Sequence, residues 1–167
     1  MNNATVNNVV KVGMADINLT SPPHTIRTSG LGSCVGIIIY DEFVKMCSMA
    51  HIMLPDSSLA KSGTINRAKY ADTAIEDAIK WLVNEGASSY RLKSKIAGGA
   101  QMFKFSTQNE VMRVGPRNVE AVKAVLGQNN IPIISEDVGG SSGRTIEFDP
   151  STCMLQIKTV NKGVLEI

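Results

Sequence analysis

The longest apolar run of the chain, residues 35–40, is the feature that most constrains its fold. It reads VGIIIY, and a second strand-like run at 45–54 follows after only four intervening residues. Methionine and alanine in the second run would permit a helix, but its length and its position beside a turn favour a strand. The two runs predict a hairpin with its turn at 41–44. The first run is also far shorter than the ~20 residues that a membrane-spanning helix needs, so we expect no direct membrane insertion.

The pairing register of this hairpin would bring a thiol and an imidazole together. If residues 41–44 form the turn, Tyr40 lies opposite Lys45 and, further along, Cys34 lies directly opposite His51. Directly opposed side chains share a face, with Cβ atoms about 4.5–5.5 Å apart. A loop longer by one residue would move His51 to the other face. Cys34 and His51 are therefore candidates for a nucleophile and its base.

The segment ahead of Cys34 fits this chemistry. Residues 28–33 are polar and contain glycine, which predicts a loop that feeds into the strand. Such a loop leaves backbone N–H groups free, and those of Gly32, Ser33 and Cys34 are candidates for binding an oxyanion.

Two further residues complete the candidate site. Gly36 is predicted beside Cys34 on the same face, where a substrate backbone could approach without meeting a Cβ atom. Thr28, from the preceding loop, is the candidate for the group that orients His51.

Plainer interpretations of these residue types stay open. A cysteine at the start of a strand is usually a small core residue, and this interpretation applies to Cys34 as well as to Cys47. Cys153 lies at a turn with no histidine nearby in sequence, and His24 follows two prolines in what we interpret as an exposed loop. Thr28 taken alone is ordinary loop polarity.

Composition excludes several other classes of protein. The three cysteines form no CxxC pair, so the sequence does not favour a disulfide framework. Cys47 and His51 would lie roughly 13–14 Å apart on a strand, too far to share one zinc ion, and no metal site is expected. A formal net charge of +2 gives no electrostatic argument for binding nucleic acid or an anionic membrane.

Residues 1–8 are Asn-rich and uncharged, which predicts a disordered tail without features of an export signal, followed by a single cytoplasmic domain at 9–167.

The remaining pattern predicts an α+β or α/β fold, a single-domain layered sandwich in which two main helices pack on a mostly antiparallel or mixed sheet. Apolar residues at helical spacing predict one helix over 67–86, and Pro116 is a suitable first-turn residue for a second. Further strands are predicted at 9–16, 91–97, 131–137, 144–148 and 154–160.

Five short motifs resemble those of the CheD family of chemoreceptor glutamine deamidases. They are TSGLGSCVG at 28–36, AHIMLP at 50–55, GGAQMF at 98–103, GPRN at 115–118 and GGSSGR at 139–144. The resemblance runs from about residue 12 to residue 160. It implies a three-layer fold and a Cys-His-Thr triad without a cofactor, in which Cys34 is the nucleophile, His51 the base and acid, and Thr28 the group that orients the histidine.

The resemblance also implies a reaction and partners. The reaction is hydrolysis of protein glutamine side chains to glutamate with release of ammonia. The substrates are cytoplasmic helices of methyl-accepting chemoreceptors, and the phosphatase CheC is a further partner, which implies a cytoplasmic protein associated with receptor arrays. Such a substrate needs an open groove, for which Gly36, Met102, Phe103 and the loop 54–66 are candidates.

The alternative is a receptor- and CheC-binding module in which catalysis matters little, and another cysteine amidohydrolase or a transglutaminase-like enzyme is a third possibility.

Overall fold

The structure is a computed structural model that describes residues 8–61, 63–102 and 113–167. Two short 3₁₀ turns, Ser57–Leu59 and Arg67–Lys69, precede the first of its two helices. The regular elements, in chain order, are β1 (Val9–Lys11), β2 (Asp16–Thr20), β3 (Thr25–Leu31), β4 (Val35–Asp41), β5 (Met46–Ile52), α1 (Ala71–Asn84), β6 (Leu92–Gly98), α2 (Val114–Gln128), β7 (Ile133–Val138), β8 (Arg144–Asp149), β9 (Met154–Thr159) and β10 (Gly163–Glu166).

The strands form two five-stranded sheets that pack face to face. The outer sheet has the order β1-β3-β8-β9-β10, and the central sheet has the order β2-β5-β4-β6-β7. The pairs β1–β3 and β6–β7 are parallel and all other pairs are antiparallel, so both sheets are mixed. Both helices cover the face of the central sheet that points away from the outer sheet. The predicted layered α+β sandwich with two main helices is confirmed.

Strand β4 is buried along its whole length, which explains its uninterrupted apolar sequence. Val35, Ile37 and Ile39 pack with the helices, whereas Ile38 and Tyr40 pack with the outer sheet. The face that carries the even-numbered residues of β4 is therefore enclosed between the two sheets.

The predicted hairpin between β4 and β5 exists, but its predicted register is wrong by two residues. The turn is 42–45, and Asp41 pairs with Met46. The Asp41 carboxylate accepts hydrogen bonds from the N–H groups of Phe43 and Val44, and Lys45 takes a positive φ of 55°, which together move the turn one residue along the chain.

As a result, His51 lies opposite Gly36 rather than opposite Cys34. Cys34 lies two residues before Gly36, so it is a diagonal neighbour of His51. The two side chains nevertheless share a face, because Cys34 packs with Ile38 and Met49 in the cluster between the sheets, and His51 lies on the same face of β5 as Met49.

Several other boundaries differ from the predicted ones. Thr28, predicted in a loop, lies in β3, where it pairs with Ile146 of β8. The predicted strand 9–16 consists of β1 and the first residue of β2, and β10 was not predicted. The first helix begins at Ala71 because Arg67–Lys69 forms a 3₁₀ turn, and the second begins two residues before Pro116. All but the last residue of the predicted tail 1–8 lies outside the described residues.

Candidate active site

Cys34 lies in a bend between β3 and β4 that is held in place from outside. Its side chain is 8% exposed. Each of the three carbonyl groups of the bend accepts a hydrogen bond: Gly32 O from Ala100 N (2.8 Å), Ser33 O from Asn118 Nδ2 (3.0 Å) and Cys34 O from Gly99 N (2.8 Å). These three hydrogen bonds therefore fix the backbone around the sulfur, and none of them uses the sulfur itself.

The close contact on the Cys34 carbonyl depends on glycine. Gly98 has a φ of +113°, and a Cβ atom there would lie 2.3 Å from Cys34 O. Gly99, which donates to that same oxygen, also has a positive φ of +66°. A side chain at Gly98 would force the end of β6 away from the bend, whereas a side chain at Gly99 would clash with Val119 of α2.

His51 is fully buried between the sheets, and one of its ring nitrogens is hydrogen-bonded to Thr28. Thr28 Oγ1 lies 2.7 Å from His51 Nδ1 and also donates to Val12 O over 2.8 Å. A hydroxyl has one proton, and this one is used on the carbonyl, so Oγ1 accepts from Nδ1–H. The hydrogen-bond network thereby assigns the proton of neutral His51 to Nδ1 and leaves Nε2 as the acceptor.

Nε2 of His51 is buried and has no hydrogen-bond partner among residues 8–61, 63–102 and 113–167. An unprotonated Nε2 on this face is an available proton acceptor, although no hydrogen bond joins it to the Cys34 sulfur in this structure. Burial raises the pKa of the Cys34 thiol and lowers the pKa of the His51 imidazole. Both groups are therefore neutral at rest, and the arrangement suits a general base better than a preformed thiolate–imidazolium pair.

Backbone N–H groups of the bend are available beside the sulfur. Gly32 N–H donates to Gly30 O over 3.1 Å, so Gly32 supports the bend instead of offering a donor. Within the described ranges, no other residue accepts from the N–H of Ser33 or of Cys34. The N–H of Cys34 lies near its own sulfur and lowers the pKa of that thiol, by less than burial raises it. These two groups can receive the negative charge that develops on a carbonyl oxygen under attack.

The predicted groove residues have different environments. Gly36 is buried, and a Cβ atom there would lie 2.5 Å from Ile146 Cδ1, so its missing side chain makes room for the outer sheet and leaves no space for a substrate backbone. Met102 is 46% exposed and lies 3.4 Å from the Cβ position of Gly32. Phe103 lies outside the described residues.

The loop 54–66 borders a surface cavity of about 600 Å³ together with α2. Pro55, Asp56 and Leu59 line it on the loop side, and Arg117 and Glu120 on the helix side. Arg117 precedes Asn118, whose amide binds the Cys34 bend, so the cavity adjoins the supports of the candidate nucleophile.

The other cysteines and His24 lie elsewhere. Cys47 is fully buried opposite Tyr40 rather than Ile38, and burial raises its pKa. Cys153 is half-buried at the turn before β9, and His24 is half-buried directly after an exposed turn at Pro22 and Pro23. No group of three His, Cys, Asp or Glu side chains in the described part of the chain is placed to hold a metal ion.

The prediction of site residues missed two supports. Asn118, at 0% exposure, donates through Nδ2 to Ser33 O and to Met53 O. Arg144 donates to Asp137, Gly98 O and Gly139 O, and thereby holds the turn that carries Gly98 and Gly99. Both residues belong to motifs recognised in the sequence, but the hydrogen-bond partners of a buried polar side chain are fixed only by the tertiary structure.

A family described as CheD chemotactic sensory transduction matches residues 53–159, which is more than half of the chain. Similar proteins cover almost all of it. A protein of Halalkalibacterium halodurans named chemoreceptor glutamine deamidase CheD is 60% identical over 162 residues, 97% of this chain and 100% of that protein. Proteins with the same name from Bacillus subtilis and Bacillus licheniformis are each 56% identical, over 93% and 95% of this chain and of their own lengths.

Neither of the described helices combines the length and the hydropathy that a membrane span requires.

Proposed function

The chain belongs to the CheD family, and we propose that it is a deamidase that hydrolyses glutamine side chains of chemoreceptors to glutamate. The observation that carries the proposed chemistry is the state of the His51 ring. Its Nδ1 is held by Thr28, and its Nε2 is free on the face shared with Cys34. The names of the similar proteins supply the substrate class.

The first half-reaction forms a thioester. His51 Nε2 takes the proton of Cys34 while the sulfur attacks the carboxamide carbon, and the carbonyl π electrons move to the oxygen. The N–H groups of Ser33 and Cys34 stabilise the resulting oxyanion. When the intermediate collapses, the C–N bond breaks, and the proton on Nε2 passes to the departing nitrogen to give ammonia.

The second half-reaction restores the thiol. His51 Nε2 accepts a proton from water as the water oxygen attacks the thioester carbon. Cleavage of the C–S bond then releases the side-chain carboxylic acid, which loses its proton to solvent to give glutamate, and the proton on Nε2 returns to the Cys34 sulfur. The neutral resting pair implied by the two pKa directions is the state that this cycle starts from and returns to.

The proposed substrate is a glutamine exposed on a cytoplasmic receptor helix. We propose that the helix lies across Met102 and the loop 54–66, because Met102 is exposed beside Gly32 and the loop borders a cavity next to α2. CheC is proposed as a further partner, and the proposed location is the cytoplasm at receptor arrays.

The test is to incubate the purified protein with a receptor cytoplasmic fragment and to map glutamine-to-glutamate conversion by mass spectrometry. We expect conversion with the unaltered chain, conversion only at the rate without enzyme for Cys34→Ala, and full conversion for the control Cys153→Ser. Conversion that survives Cys34→Ala would reject the nucleophile. Receptor binding without conversion by the unaltered chain would favour the binding-module alternative.

A further inference from the structure

Asn118 joins the segment that carries the candidate nucleophile to the strand that carries the candidate base. It lies in the second turn of α2 and is fully buried. One amide nitrogen makes both contacts, to Ser33 O over 3.0 Å and to Met53 O over 2.9 Å. Ser33 immediately precedes Cys34, and Met53 comes two residues after His51.

The contact to Ser33 O has a consequence for the neighbouring N–H group. The carbonyl of Ser33 and the N–H of Cys34 belong to one planar trans peptide group, in which they point in opposite directions. A donor that fixes the carbonyl thereby fixes the direction of the N–H. A hydrogen bond to the carbonyl also polarises the peptide group, which makes its N–H a stronger donor.

The peptide group before it is held in the same way by the backbone. Ala100 N–H donates to Gly32 O over 2.8 Å, and Gly32 O shares its peptide group with the N–H of Ser33. Of the two candidate oxyanion donors, the N–H of Ser33 is thus oriented by main chain, and the N–H of Cys34 by the side chain of Asn118.

Packing alone does not explain an asparagine at this position. Its Oδ1 is buried and has no partner in the described part of the chain. An unpartnered buried acceptor costs free energy that an apolar side chain of similar volume would avoid. What asparagine supplies is two N–H donors in one plane, both of which are used on main-chain carbonyls.

We propose that Asn118 is a positioning residue that orients the N–H of Cys34 as an oxyanion donor. The inference rests on the proposed deamidase function. It assigns Asn118 no contact with substrate. The N–H of Cys34 also lowers the pKa of its own thiol, but burial has the larger effect on that pKa. Loss of Asn118 should therefore weaken stabilisation of the tetrahedral intermediate much more than it changes the reactivity of the sulfur towards other electrophiles.

Two reactions of Cys34 separate these effects. Deamidation passes through an oxyanion, whereas alkylation by iodoacetamide needs the thiolate but forms no oxyanion. For Asn118→Ala we expect kcat for the receptor fragment to fall about 10- to 100-fold with KM unchanged, a smaller loss than the roughly 100- to 1,000-fold that follows removal of an oxyanion donor itself. The alkylation rate of Cys34, quantified by mass spectrometry, should change by less than about 3-fold, because burial outweighs the N–H of Cys34 in setting the pKa of the thiol.

Asn118→Ser, a milder truncation that keeps a hydroxyl donor, provides the test if Asn118→Ala does not fold. In this variant too, kcat should fall more than the alkylation rate of Cys34, with a smaller loss of kcat than in Asn118→Ala. Asn129→Ala is the matched control, because Asn129 is exposed at the end of the same helix and its side chain bonds only Val125 O in the described chain. A parallel fall of alkylation and kcat, or an unchanged kcat, in a folded Asn118 variant would overturn the inference. If the unaltered chain converts no glutamine, the proposed function fails, an outcome distinct from either of these.

Discussion

Thr28 Oγ1 and His51 Nδ1 lie 2.7 Å apart although the two residues belong to different sheets. Thr28 comes from β3 of the outer sheet, and His51 comes from β5 of the central sheet. The contact is fully enclosed, and the Thr28 proton is used on Val12 O. The orientation and tautomer of the proposed base therefore depend on how the two sheets pack.

The Thr28 hydroxyl can be tested by removing it at constant shape. Thr28→Val leaves His51 Nδ1–H without its acceptor and no longer selects the tautomer with a free Nε2. We expect kcat/KM for glutamine conversion to fall about 10- to 100-fold, part of the roughly 100- to 10,000-fold that a general base contributes. Thr28→Ser is the matched control, because it keeps the hydroxyl and should keep most of the activity. Equal losses in the two variants would show that the methyl packing, and not the hydroxyl, is what matters.

The directions of the two pKa shifts predict how the site responds to pH. Burial lowers the pKa of His51 below its usual 6.5, so the imidazole stays neutral and competent as a base to a lower pH than an exposed histidine. Burial raises the pKa of Cys34 above 9.0, so little thiolate exists at neutral pH. We expect kcat/KM to fall on the acid side only below about pH 6.5. The iodoacetamide rate of Cys34 should still be rising at pH 9.

A plateau of Cys34 alkylation that extends down to pH 5 or 6 would contradict this prediction, because it indicates a thiolate stabilised by a protonated histidine. Cys153, which is half-buried, provides an internal comparison in the same sample when alkylation is quantified by peptide mass spectrometry.

The part of the site that lies in one hairpin could be predicted from the sequence, because strand alternation depends only on neighbouring residues. The common face of Cys34 and His51 follows from that alternation. Their diagonal offset does not follow from it, because the offset depends on which N–H groups of the turn donate to the Asp41 carboxylate. A one-residue change in where the turn begins moves the pairing by two, which preserves the face and changes the partner.

Contacts between sheets do not follow from strand alternation. The sequence predicts Thr28 as the group that orients His51, but the polar and glycine residues around it predict a loop. In the structure that segment is β3, in which Ile26, Thr28 and Leu31 are buried and the residues between them are exposed. Its partners β1 and β8 are distant in sequence from β5, so no local pattern brings Thr28 near His51.

Two glycine-to-alanine substitutions should have opposite effects on stability, because only one of the glycines lies against the Cys34 bend. Gly98→Ala places a Cβ atom 2.3 Å from Cys34 O at a positive φ, so the backbone must move, and we expect a loss of about 1–3 kcal/mol in the free energy of unfolding. Deamidation should fall further than stability explains, because the bend that carries the nucleophile moves.

Gly127→Ala, in α2 with open space around it, should stabilise the fold by about 0.4–1 kcal/mol and leave activity unchanged. Urea unfolding and the receptor assay measure both quantities, and normal stability of the Gly98→Ala variant would refute the steric argument.

Arg144 links the glycine-rich segment 139–143 to the Cys34 bend. Its substitution tests whether a residue that does not touch the bend affects the nucleophile. Its guanidinium donates to Asp137 Oδ2 (3.1 Å), Gly98 O (3.3 Å) and Gly139 O (2.9 Å), and a lysine ammonium cannot reproduce this fork. We expect Arg144→Lys to lower the free energy of unfolding by about 1.5–3 kcal/mol, the range for hydrogen bonds to charged groups. It should also reduce kcat, because Gly98 lies against Cys34 O and the adjacent Gly99 donates a hydrogen bond to that oxygen. Arg67→Lys is the control: its ion pairs with Glu76 and Asp77 are exposed, so the same substitution should change stability by less than about 0.5 kcal/mol. An Arg144→Lys variant that is less stable but keeps its kcat would contradict this prediction, because it would show that the position of residues 98–101 does not affect the nucleophile.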